Sequence, residues 1–261
     1  MAEEHLNAVV HEGRGPYALV VHGAVGSRSY WADNLAALRE VCQPVVVELW
    51  GHGRSPSPAD PARYRPDGYA AEFEHLRTGL GADRWITIGQ SMGAALTLHY
   101  GLRHPDRVMA QILTNSSSAF TPPQGWLDRH ATVVAPLVEQ LRAEGIDALR
   151  GHFVNPGRSK RISADTRALL AVEFEEHDAG GVAESLFTTN AHLPLGERLR
   201  DVTRPTLLTL GVDEERFLKL LPEARKIPGL EIAELNGAHA VNAHDPAGWN
   251  AVVVAFITRH S

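Results

Sequence analysis

Position 91 is a serine held between two glycines, in the stretch IGQSMGAAL over residues 88–96. A serine hydroxyl is a poor nucleophile until a base takes its proton and donors stabilise the anion that follows attack. Gly89-Gln90-Ser91-Met92-Gly93 follows the apolar run RWITI and opens the run MGAALTLHYGLRH. A strand that swings straight into a helix forces its middle residue into a strained turn, where glycines remove the side chains that would collide. The hydroxyl then stands at the carboxyl end of a sheet, beside the free amides of a helix N-terminus. The spacing therefore predicts a nucleophile at Ser91. The structural alternative is a tight turn that needs its glycines, with Ser91 capping the helix.

Such a turn needs a sheet. The runs at 17–23, 44–51, 84–90, 109–115, 205–211 and 230–237 read as strands. They are almost continuously apolar, as strands covered on both faces are. Helical patterns lie between them at 28–40, 69–80, 92–103 and 246–259. This alternation predicts an α/β fold, a mostly parallel central sheet with helices on both faces. It fails between about 116 and 200, where WLDRHATVVAPLVEQLRAEG and SADTRALLAVEFEEHD look helical. That stretch reads as an inserted helical lid, leaving 1–115 and 201–261 as the core. In it, Trp126, Phe153, Phe174 and Phe187 are candidates either for an apolar pocket or for lid core, and GRSKR over 157–161 is a basic clump open to an acidic substrate or to solvent.

With these elements in place the chain resembles the α/β-hydrolase superfamily over nearly its whole length. VVHGAVGSRSYW resembles the family's oxyanion segment, ELWGHGRS the turn after the next strand, and GAHAVNAHDPAGWN its histidine loop. GQSMGAALTLHYGLRHPDRV is similar to 3-oxoadipate enol-lactonases and related carboxylester hydrolases. The resemblance implies the order nucleophile, acid, histidine. It assigns the base to His239 rather than His244. For the acid it leaves two residues of GVDEE open, Glu214 by spacing and Asp213 by residue type, with a slight preference for Glu214. It implies an oxyanion hole from the backbone amides of Ala24 and Met92. His22 is expected to shape the oxyanion loop through its backbone, and His52, His99 and His104 to be structural or solvated.

The bulk composition narrows the function classes. The chain has 261 residues, 44% apolar and 21% charged, with a net charge of −6. That profile suits a soluble globular protein and argues against nucleic acid as the main partner. No apolar run is long enough to span a bilayer, and MAEEHLNAVVHEG lacks a signal-peptide profile. One cysteine, Cys42, excludes an internal disulfide and fits the cytoplasm. WGHGRSP lacks the features of a phosphate loop, and no pair on one helix has metal-ligand spacing, so no cofactor or metal is expected. The expected partner is a small-molecule substrate, and a homo-oligomer is compatible with the sequence. The expectation is a serine hydrolase of carboxylic esters or lactones. Alternatives on the same fold are a C–C bond hydrolase or lyase, and a slow-turnover ligand receptor.

Overall fold

The computed structural model describes residues 4–152 and 155–261. Phe153 lies outside the described residues. Seven strands form one sheet: β1 (Ala8–Val10), β2 (Tyr17–Val21), β3 (Gln43–Val47), β4 (Trp85–Gln90), β5 (Val108–Thr114), β6 (Thr206–Gly211) and β7 (Glu231–Leu235). Their spatial order is β1-β3-β2-β4-β5-β6-β7. Every pairing is parallel except that of β1 with β3. The six expected strands are all present, each within four residues of its predicted ends. β1 went unread because it is three residues long, half-exposed and at an edge, so it carries no apolar run.

Central strands β4 and β6 are buried at every residue, which is why their sequences do not alternate. Helices cover both faces. On one side α2 (Pro66–Gly79) and α3 (Met92–Arg103) pack Tyr69, Phe73, Ala94 and Leu98 against Leu19, Val21, Leu208 and Leu210. On the other, α1 (Ala32–Leu38) and the final helix, Pro246–His260, pack Leu38, Trp249, Val253 and Phe256 against Val20, Ile88 and Ile112. Parallel strands joined through helices on both faces leave the crevice at the carboxyl ends of the strands open for a site.

Between β5 and β6 the described residues form helices and no strand. α4 (Pro123–Arg129) runs through a π-helical turn at His130–Val134 into α5 (Ala135–Glu144). α6 (Ala164–Phe174) and α7 (Ala179–Glu184) follow, capped by the side chains of Ser163 and Asp178. Val138, Leu141, Phe174, Val182 and Leu186 make a small core of their own, closed on one side by Val25. Of the aromatic candidates, Phe174 belongs to this core, Trp126 lines the cavity described below, and Phe187 is exposed beside His130. Among the described residues no helix is long and apolar enough to cross a membrane.

Candidate active site

Ser91 sits between β4 and α3 with φ 52° and ψ −115°, a left-handed-side conformation that a non-glycine residue adopts only under tertiary constraint. The flanking glycines are required by contact. A Cβ on Gly89 would stand 2.5 Å from the Cα of Ala94, and one on Gly93 would collide with the carbonyl of Val21. Ser91 N donates to Thr114 O at 2.9 Å, which ties the turn to β5. The Ser91 side chain makes no capping hydrogen bond, so the turn is not explained by helix capping.

His239 lies in the loop after β7. Its Nδ1 is 3.0 Å from both carboxylate oxygens of Glu214, in the turn after β6. A carboxylate only accepts, so Nδ1 carries the proton and Nε2 keeps its lone pair. Glu214 is buried, whereas the His239 side chain is 46% exposed toward the cavity mouth. Asp213 departs in the other direction. It is exposed and pairs with Arg161 at 2.5 Å. The structure thus brings Glu214, and not Asp213, to the histidine. His244 is also excluded from a free-base geometry: its Nδ1 accepts from Ala238 N at 3.2 Å and its Nε2 meets Ser159 Oγ at 3.0 Å. Burial pushes its imidazole down to about 4.

Ser91, Glu214 and His239 line one cavity of about 660 Å³, together with Ala24, Met92, Tyr30 and Trp126. Its volume lies in the usual range for small-molecule sites. No described residue hydrogen-bonds the amides of Ala24 or Met92. Two side chains that were not anticipated hold the loops in register. Asn115, left-handed at φ 35°, accepts from Gly211 N at 3.2 Å and donates to Ala238 O at 2.8 Å, joining the acid loop to the histidine loop. Gln90 donates to His239 O at 3.1 Å. A polar residue ending a buried strand was the available signal for both.

Beneath the loop Gly23–Gly26 lies a second polar group. The buried ring of His22 donates from Nδ1 to Gly23 O at 2.7 Å and accepts at Nε2 from Leu49 N at 3.1 Å. His22 therefore shapes the loop through its ring rather than its backbone. His52 donates to Trp50 O at 2.9 Å and accepts from Val25 N at 3.1 Å, holding Val25 at φ 57°. His177, just beyond α6, accepts from Gly53 N at 2.8 Å and packs its ring 5.2 Å from that of His52. Burial pushes His22 and His177 down to about 4. Glu173 of α6 accepts from Ser27 Oγ at 2.5 Å, Ser29 N at 3.1 Å and Ser29 Oγ at 2.7 Å, and pairs with Arg28 at 3.0 Å. Among the described residues no cluster of three or more His, Cys, Asp or Glu side chains is arranged to hold a metal ion.

Comparison with known proteins agrees with this fold. The model of the α/β hydrolase fold family matches residues 19–154. "Putative 2-succinyl-6-hydroxy-2,4-cyclohexadiene-1-carboxylate synthase" of Bacillus subtilis (strain 168) is 25% identical over 268 residues, 96% of this chain and 94% of its own. "Putative carbamate hydrolase RutD" of Rhizobium rhizogenes is 27% identical over 248 residues, 92% and 91% of the two chains. Among solved structures, the enol-lactonase from Burkholderia xenovorans LB400 superposes with a TM-score of 0.80 at 22% identity, covering 97% of this chain and 96% of that one. The match to the family model, with a seven-stranded sheet and a serine on its strand-to-helix turn, establishes that the chain belongs to the α/β hydrolase fold family.

Proposed function

We propose that the protein hydrolyses a carboxylic ester or lactone through an acyl-enzyme on Ser91. The observation that carries this reading is the bond from His239 Nδ1 to the buried Glu214 in the cavity that Ser91 lines. It fixes the tautomer in which Nε2 can take the serine proton. Ser91 Oγ attacks the carbonyl carbon while its proton passes to His239 Nε2. Glu214 stabilises the imidazolium, and the amides of Ala24 and Met92 receive the oxyanion. The leaving oxygen departs with the proton from Nε2. Water, deprotonated by the same nitrogen, then attacks the acyl carbon and returns Ser91 to its resting state. Serine–histidine bonds of this kind are often long before substrate binds and tighten in the complex.

Residues 116–200 act in this reading as a lid, since Trp126, Leu137 and Leu186 roof the cavity. Enclosure strengthens the interactions that stabilise the oxyanion. The substrate is a small molecule. A single buried cysteine fits a reducing compartment, and we place the activity in the cytoplasm.

A serine-directed fluorophosphonate tests the reading directly. Intact-mass analysis should show one adduct on the wild type and none on Ser91→Ala, with turnover of activated esters reduced at least ~1,000-fold. An adduct on the variant, or retention of a tenth of the rate, overturns it. A second, non-hydrolytic reading on the same groups is favoured by the match to a synthase. There Ser91 and His239 move a proton without forming an acyl bond, and rapid quenching with an activated ester would trap no acyl adduct.

A further inference from the structure

The ring of His239 is half-exposed and has one hydrogen-bond partner among the described residues, Glu214. One bond fixes the tautomer but leaves the ring free to swing about it. The direction of Nε2 is therefore set by the backbone that carries the residue. The peptide unit just before it, Gly237–Ala238, is held at both polar ends. Gly237 O accepts from Asp213 N at 2.8 Å, and Ala238 N donates to His244 Nδ1 at 3.2 Å. The next carbonyl, Ala238 O, accepts from Asn115 at 2.8 Å.

His244 is itself firmly placed. It closes the helical turn Val241–His244, whose Val241 and Ala243 are buried in the core and whose Asn242 O accepts from Asn34 at 3.0 Å. Gly237 has φ 140°, and a Cβ there would stand 2.8 Å from the Cβ of His244, so the imidazole lies directly against the peptide it binds. A backbone N–H can only donate, so Nδ1 is the acceptor and the proton sits on Nε2. Nε2–H then donates to Ser159 Oγ at 3.0 Å, in the helical segment 85 residues earlier in the chain. Two residues on, Arg161 pairs with the Asp213 side chain at 2.5 Å. One short stretch of the helical segment thus reaches both residues that hold the Gly237–Ala238 peptide. The Arg161–Asp213 pair is exposed and contributes little, which leaves His244 as the principal link.

We propose that His244 is a positioning residue for His239: its neutral ring, oriented by Ser159, fixes the Ala238 amide and with it the direction of His239 Nε2 toward Ser91. The proposal deepens the hydrolase reading and rests on it for the role of His239 as the base. His244 takes no proton from the substrate, because both of its nitrogens are engaged. Seating of the helical segment and alignment of the base are then one event. Displacement of Ser159 frees the His244 ring, and a freed ring releases Ala238.

The test uses His244→Gln, His244→Asn and Ser159→Ala in the full chain, with p-nitrophenyl acetate as the ester. Glutamine places its amide where Nε2 stands and keeps the Ser159 contact alone. Asparagine places Oδ1 where Nδ1 stands and keeps the Ala238 contact alone. His244→Gln should lower kcat roughly ten- to hundredfold, the cost of a base displaced by about an ångström, with KM within about twofold of wild type. His244→Asn should recover most of that loss. Ser159→Ala, which removes one hydroxyl, should lower kcat about threefold with KM unmoved. The downfield proton resonance of the His239–Glu214 bond, identified by its absence from His239→Ala, should persist in His244→Asn and broaden or vanish in His244→Gln. Equal rates in the Asn and Gln variants, a KM that rises at constant kcat, or a resonance unmoved in His244→Gln overturns the proposal. Should His244→Gln fail to fold, Ser159→Ala decides, and an unmoved kcat there overturns it. The hydrolase reading is judged separately, on Ser91→Ala. The resonance needs no turnover, so it decides the role of His244 even if hydrolysis does not proceed through Ser91.

Discussion

The strand-end loops and the helical segment between β5 and β6 meet at one cavity but are held by different forces. The backbones of the acid and histidine loops are fixed by neutral amide side chains: Asn115 bridges Gly211 and Ala238, and Gln90 holds His239 by its carbonyl. The helical segment is fastened by ionisable groups, Glu173 on Ser27, Arg28 and Ser29, and His177 on Gly53. Neutral amide bonds change little with pH or salt. Carboxylate and imidazole contacts change with both. The two regions join at Val25, which is bound by His52 and packed against the small core of the helical segment. Any loosening of that segment is thereby transmitted to the loop carrying the Ala24 amide.

The largest effect that would break this contrast lies in the loops. Glu214→Gln should lower kcat roughly a thousandfold or more, because an amide favours the wrong imidazole tautomer, whereas Asp213→Asn should cost no more than about threefold. Comparable melting temperatures are needed before the rates are compared. If Asp213→Asn is the crippled variant, the contacts seen at His239 are not those used in turnover.

Asn115→Ala should follow. It frees two loops at once, and a displacement of about an ångström at the histidine costs on the order of a hundredfold. Kinetics of the variant with an activated ester would show it as a loss in kcat. A rate within twofold of wild type would mean that the loops need no such clamp.

Smaller effects should come from the helical segment, and they should be conditional. Glu173→Gln should cost about 1–3 kcal/mol of stability, read by denaturant titration, because Arg28 loses its closest carboxylate. His177 sharpens the point through pH. Burial holds it at about 4 in the folded state, against the partial opposition of Glu173 and Glu176, while the unfolded chain titrates near 6.5. A lowered folded value means that the stability it contributes is complete above about pH 6.5 and is lost progressively as pH falls toward about 4. The melting temperature of the wild type should fall across that window, and His177→Gln should flatten the slope. An unchanged slope would shift the acid sensitivity to His22 and His52.

The sequence by itself determined the sheet and the position of Ser91. Continuous apolar runs announce buried strands, and a serine between two glycines at a strand-to-helix turn satisfies a steric rule that acts over five residues. His239 was legible because it follows the last strand in a family order. The choice between Asp213 and Glu214 was not, since adjacent residues differ chiefly in the direction from which their side chains leave the turn, and the fold of β6 against the histidine loop sets that direction. Tertiary structure alone decided the contacts of Glu173 with Ser27 and Ser29, and of His177 with Gly53, across more than a hundred residues of chain. It also decided the two partners of His244, Ala238 in its own loop and Ser159 in the helical segment. A local pattern encodes what neighbours in the chain do to one another. Side chains that meet only after folding leave no trace in it, because the same residues would read as solvated surface in any other packing.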